Sequence, residues 1–132
     1  MSRSADRLLR VLVAEDDAEV VRRLVQSLEE LPDVEIVGPA ADGGVALDLM
    51  RARSPHVAVL DFSMPVANGL EVLRIIRRDN LSCIVIILTN YDEPSLRHRC
   101  LEAGADYFLH KSTEFETVAD IIEARAARLR ET

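Results

Sequence analysis

The chain has 132 residues, 48% of them hydrophobic, a size that suits a single domain burying roughly two thirds of its unfolded surface. Its 16 basic and 23 acidic side chains leave a net charge of −7, which repels phosphodiester backbones and excludes an electrostatic footprint for DNA or RNA. No run approaches the roughly 18 apolar residues of a membrane span, so the chain reads as soluble and cytoplasmic, and Cys83 and Cys100, lacking any ligand spacing, read as buried reduced thiols.

Arg10 to Ala14 (RVLVA) reads as a first strand, followed by a helix on which Val21, Leu24, Leu28 and Leu31 form one stripe that Pro32 ends. Val34 to Val37 (VEIV) is a second strand, and Gly44 to Ala52 a short second helix with Val45 and Leu49 facing inward. Val57 to Leu60 (VAVL) is a third strand, and Leu70, Leu73 and Ile76 mark the third helix. Ile84 to Thr89 (IVIILT) precedes a helix striped by Leu96, Cys100 and Ala103. Asp106 to Leu109 (DYFL) precedes one striped by Val118, Ile121, Ile122 and Leu129. Apolar runs without alternation indicate strands covered on both faces, as in a parallel sheet.

Five βα units joined by right-handed crossovers predict an α/β fold, a doubly wound five-stranded parallel sheet of the flavodoxin-like order 2-1-3-4-5. One domain is expected over residues 8–130, with short tails at 1–7 and 131–132. In this order the helices after strands 1 and 3 lie on opposite faces, and a crevice opens between the strand ends where ligands bind.

Strand 1 runs into Glu15-Asp16-Asp17 and strand 3 into Asp61, so the topology brings at least three carboxylates to that crevice. Two unit charges 4 Å apart cost about 4 kcal/mol even at an effective dielectric of 20, so the cluster calls for a cation. Oxygen ligands without His or Cys suit a hard ion, Mg²⁺ above all. Asp17 also stands where it can N-cap the first helix. Asp61 is too far from the third helix to cap it, and an acid at the end of a buried strand needs a partner or a task. Strand 4 supplies the Thr89 hydroxyl and strand 5 is followed by Lys111, which completes a set suited to phosphoryl transfer onto a carboxylate. No nucleotide-binding glycine motif is present, so the phosphoryl group comes from elsewhere. His56, His98 and His110 share no ligand spacing and read as solvated or structural.

The stretches "VLVAEDD", "VLDFSMPVANGLEVL", "IILTN" and "GADYFLHKS" resemble the receiver domain of bacterial response regulators, from about Arg10 to Leu129. The resemblance implies that Asp61 is the phosphoacceptor in a two-component phosphorelay. It implies that Asp16, Asp17 and the Ser63 carbonyl hold Mg²⁺ or Mn²⁺ with Asp61, and that Lys111 pairs with phosphoryl oxygens. Thr89 is then the switch hydroxyl, coupled to Phe108, while Ser63, Asn90 and Tyr91 occupy positions that tune phosphoryl lifetime. The implied donor is a phosphohistidine on a sensor histidine kinase or phosphotransfer protein. The implied readout is a partner-binding surface on helix 4, strand 5 and helix 5, which could also pair two copies of the chain. The chain ends soon after its fifth helix, which suggests a single-domain regulator or a piece of a longer one, whose output stays open.

In the family Lys111 is often followed by a proline in a cis peptide, where this chain has Ser112. Met64-Pro65 stiffens the loop after Asp61, and Asn68-Gly69 is expected to supply a positive φ before the third helix. Two other readings stand beside this one: an aspartate-nucleophile phosphatase of the haloacid-dehalogenase type, which needs a second Asp where Ser63 stands, and a phosphorylation-independent interaction domain.

Overall fold

The computed structural model describes residues 8–91 and 93–131; the expected tail at 1–7 and Thr132 lie outside them. Strands β1 (Leu9–Ala14), β2 (Val34–Ala40), β3 (Val57–Asp61), β4 (Ile84–Thr89) and β5 (Tyr107–His110) alternate with helices α1 (Ala18–Glu29), α2 (Gly43–Arg53), α3 (Gly69–Arg78), α4 (Pro94–Glu102) and α5 (Phe115–Arg130). The five strands form one sheet in the order β2-β1-β3-β4-β5, every pair parallel. This is the doubly wound order expected from the sequence.

Successive strand residues point to opposite faces, and both faces are covered, which is why the strands lack polar alternation. Leu12, Ala58, Leu60, Val85 and Ile87 pack under α2, α3 and α4. Val11, Val13, Val57, Val59, Ile86 and Leu88 pack under α1 and α5. The sheet is the shared wall of two cores.

Three local expectations are corrected. Val45 does not face inward: it is 43% exposed, and the buried residues of α2 are Gly43, Ala46 and Met50, with Leu49 only partly covered. A Cβ on Gly43 would come within 2.2 Å of the Ala67 carbonyl oxygen, and this close approach sets the rotation of the helix and turns Val45 outward. Leu31 lies beyond the end of α1 at Glu29, leaving Leu24 and Leu28 as its buried stripe. β2 continues through Gly38-Pro39 to Ala40, because an edge strand tolerates proline and the register with β1 shifts between Leu12 and Ala14 to absorb the extra residue.

Candidate functional site

The site begins with the strand that carries Asp61. Four apolar residues of β3 are buried between the two cores, so Asp61 emerges at the carboxyl edge of the sheet with only 3% of its surface exposed. The following loop returns at once to pin it. The Ser63 N–H donates to Asp61 Oδ1 at 3.2 Å, the Phe62 N–H to the Leu88 carbonyl at 2.8 Å, and the Gly69 N–H to the Phe62 carbonyl at 2.9 Å. Gly69 is required here by proximity, since a Cβ would stand 2.7 Å from the Asp61 carbonyl oxygen. Its φ is not in the left-handed region, nor is that of Asn68, so the positive φ expected at this pair is instead at Val66, with φ 72°. Asn68 serves as the N-cap of α3, in a reciprocal capping box with Glu71.

From β5, the Lys111 ammonium reaches across to Asp61 Oδ1 at 3.0 Å and to Glu15 Oε1 at 2.8 Å. Glu15 is 2% exposed. Its Oε2 accepts the Asp17 N–H at 3.1 Å, whereas Oε1 is buried with no well-directed hydrogen bond, so its contact with Lys111 is one of charge rather than of hydrogen-bond geometry. Burial, together with the neighbouring Asp61 carboxylate, pushes the Glu15 carboxyl up to about 7, although Lys111 pulls the other way. Burial depresses the Lys111 ammonium, but its contacts with the Glu15 and Asp61 carboxylates outweigh that and hold it above its ordinary value.

Glu15, Asp16 and Asp61 each offer a carboxylate oxygen, and these lie within 4.8 Å of one another. Such an all-oxygen cluster, containing a buried Glu15 oxygen short of a donor, can hold a metal ion of the hard divalent kind. Asp17 lines the same cleft, but its Oδ1 accepts the N–H groups of Glu19 and Val20 and caps α1. The resemblance paired Asp17 with Asp16 as metal ligands; in the structure the carboxylate oxygens that converge with Asp61 are those of Glu15 and Asp16, while Asp17 caps α1. Glu15 was written in the sequence as the first acid after the strand, but nothing marked it as the buried one.

The cleft holds about 270 Å³ and is lined by Asp16, Asp17, Asp61, Ser63, Asn90, Tyr91 and Lys111. Thr89 ends β4 beside it, buried, with its Oγ1 accepting the Tyr91 N–H at 2.9 Å. Tyr91 is half exposed and meets the Phe62 ring edge-on at 6.3 Å between centroids. Phe108 does not reach the cleft. It pairs with Ile87, two residues before Thr89, and is buried beneath α4, where the Arg97 guanidinium donates to its carbonyl at 3.1 Å and lies 5.8 Å from its ring centroid. No helix among the described residues is long and apolar enough to cross a membrane.

The family model of the response regulator receiver domain matches residues 11–123. Among curated proteins, the chain is 34% identical over 129 residues to the transcriptional regulatory protein NarL of Mycobacterium tuberculosis, covering 97% of this chain and 60% of that one. It is 38% identical over 112 residues to the nitrate/nitrite response regulator NarP of Escherichia coli, covering 84% and 52% respectively. The chain therefore spans only about half to three fifths of the length of these relatives. Among solved structures, the receiver domain of NarL from M. tuberculosis superposes with a TM-score of 0.84 at 32% identity, covering 91% of this chain and 97% of that one. The receiver domain of CheB from Thermotoga maritima gives 0.78 at 28%, covering 95% and 98%. With the matched model reaching into all five strands and covering the acids, the lysine and the threonine of the cleft, the chain belongs to the receiver-domain family of two-component response regulators.

Proposed function

We propose that this receiver domain takes a phosphoryl group onto Asp61 and that the resulting aspartyl phosphate switches a binding surface. The observation that carries the reading is a buried carboxylate whose Oδ1 is gripped by Lys111 and by the Ser63 amide, beside two further acids at the edge of a sheet. With Oδ1 held, Oδ2 attacks phosphorus as the bond from phosphorus to the donor nitrogen or oxygen breaks. A phosphohistidine of a sensor kinase or phosphotransfer protein is the donor. A Mg²⁺ or Mn²⁺ ion supplies charge neutralisation of the transferring group when bound. Glu15, Asp16 and Asp61, with the Ser63 carbonyl, would hold that ion, and Asp17 contributes by fixing the start of α1. Lys111 stabilises the charge that develops on the phosphoryl oxygens.

Thr89 donates its hydroxyl to the phosphoryl group in the modified state and gives up the Tyr91 amide to do so. The β4–α4 loop moves with it, and Phe108 with the Arg97 side chain over it transmits the change to the surface of α4, β5 and α5. A partner, an output domain or a second copy of the chain reads that surface. Asn90, Tyr91 and Ser63, all on the rim, govern the access of water. We place the regulatory unit at residues 8–130, acting as a switch rather than as an enzyme on an external substrate. The phosphatase alternative lacks its acid, because Ser63 stands where a second Asp is needed.

The test is labelling of the purified protein with Mg²⁺ and acetyl phosphate, followed by intact mass. The parent gains one acid-labile phosphoryl group and Asp61→Asn gains none. A parent that stays unlabelled while a known receiver is labelled beside it would end this reading.

A further inference from the structure

Lys111 is followed by a serine, and a serine, unlike a proline, brings a backbone N–H into the loop between β5 and α5. Gly38–Pro39 is the cis peptide among the described residues, so Lys111–Ser112 is trans. The Ser112 N–H donates to His110 Nδ1 at 3.1 Å. A neutral ring nitrogen that accepts carries no proton, so the imidazole proton sits on Nε2, and Nε2 lies 3.2 Å from the carbonyl oxygen of Asn90. The ring therefore donates to one loop and accepts from another. Its own backbone is fixed as well: the His110 N–H donates to Glu114 Oε1 at 3.0 Å, and the next amide, that of Lys111, donates to the Thr89 carbonyl at 2.9 Å.

We propose that His110 is a positioning residue, a clip that holds the loop carrying Asn90 and Tyr91 against the loop carrying Lys111 and so slows hydrolysis of the phosphoryl group on Asp61. The proposal rests on the reading of Asp61 as phosphoacceptor. Asn90 and Lys111 line the same cleft as Asp61, so the separation of their loops sets how widely that cleft opens to water. Beside the ring is a hollow of about 150 Å³ bounded by Tyr91, Glu93, Arg97, Phe108 and Glu114, into which the released loop can move. In the step being slowed, a water oxygen bonds to phosphorus, the bond from phosphorus to the Asp61 oxygen breaks, the carboxylate is regenerated, and inorganic phosphate leaves with the water's protons. His110 touches none of these atoms and acts through Asn90 and Ser112.

The full chain is phosphorylated with Mg²⁺ and acetyl phosphate, freed of donor, and the loss of the phosphoryl group is followed by intact mass. His110→Leu, which keeps neither bond, loses it at least about fivefold faster than the parent, because one hydrogen bond of ordinary net strength already gives that factor and two are removed. His110→Asn keeps an acceptor for the Ser112 amide and His110→Gln a donor toward Asn90, and both fall between. Ser112→Ala, which retains the amide, matches the parent. Equal lifetimes for the parent and a folded His110→Leu overturn the proposal. The parent also decides it without any variant, by nitrogen NMR of the imidazole and amide exchange. A Nε2–H tautomer with a protected Ser112 amide supports the clip, and a Nδ1–H tautomer or a freely exchanging amide overturns it. A parent that takes up no phosphoryl group defeats the Asp61 reading, and these NMR outcomes still decide the clip.

Discussion

Lys111 stands between two acids that are almost fully buried, and its side chain is itself only 11% exposed. Taking away one partner of such a group leaves charge in the interior without compensation, which ordinarily costs about 3–5 kcal/mol. Lys111→Met is therefore expected to lose stability on that order at pH 8 without divalent cations, and clearly less at pH 6, where Glu15, already held up to about 7 by burial and by Asp61, takes a proton. Urea denaturation at the two pH values measures this, and an equal loss at both would show that the facing carboxylates are not the cause. Asp61 and Thr89 were legible in the sequence because each is the first polar residue after an apolar run, and Lys111 because it is the chain's single lysine, two residues past the run that ends at Leu109. Which of three consecutive acids joins Asp61 was not. The Glu15 N–H still bonds the Ala40 carbonyl, so that residue continues the buried course of the strand, while the Asp17 carbonyl already accepts the first helical bond, from Val21. That handover occurs within two residues and leaves no mark on the composition. The role of His110 was equally hidden, since it exists only where two loops meet.

At the scale of elements, the segment between β3 and α3 contains the least comfortable residue of the site. Val66 adopts φ 72° with 80% of its surface exposed, and a β-branched side chain in the left-handed region costs about 1–2 kcal/mol without any packing to offset it. Val66→Asn, a residue that tolerates this conformation, is expected to raise stability by about 1 kcal/mol in denaturant titrations. It should leave labelling of Asp61 unchanged, because the bonds that hold that residue come from Ser63, Phe62 and Gly69. A loss of stability would contradict the conformation assigned to Val66. The order of elements and the sheet topology followed from apolar runs and connection lengths, which are chain-local quantities. The loop conformation did not, because it is set by contacts between elements. Gly43 abuts Ala67 and Gly69 abuts Asp61, and those two approaches leave Val66 to make the reversal that Asn68-Gly69 seemed suited to make. The same contact at Gly43 turns α2, so that Val45 lies outside and Ala46 and Met50 lie inside.

For the whole molecule, the carboxylate cluster exists only when β1 and β3 lie side by side, so a cation that binds it binds the folded state and not the unfolded chain. Folding is then linked to the ion by RT ln(1 + [L]/Kd), about 2.7 kcal/mol when the free ion is at one hundred times Kd. The net charge of −7 adds a long-range attraction for cations of any kind, which salt screens, whereas the cluster itself should discriminate divalent ions. Protons compete for the same place. With no ion bound, the Glu15 carboxyl ionises near 7 in the folded state against 4.5 for the free side chain, so its contribution to stability is complete below about 4.5 and is lost as the pH rises through about 7. The cation requires the carboxylate, so its binding releases that proton and is weaker below about 7 than above it. Mg²⁺ should therefore raise the melting temperature more at pH 8 than at pH 6, and Glu15→Gln should remove the difference between them. Asp16→Asn should diminish the rise at both pH values, while Asp17→Asn should retain it, because asparagine caps a helix as well as aspartate does. Calorimetry with and without Mg²⁺ reads all four proteins: a pH-independent rise in the parent would take Glu15 out of the site, and an Asp16→Asn protein that responds like the parent would take out Asp16.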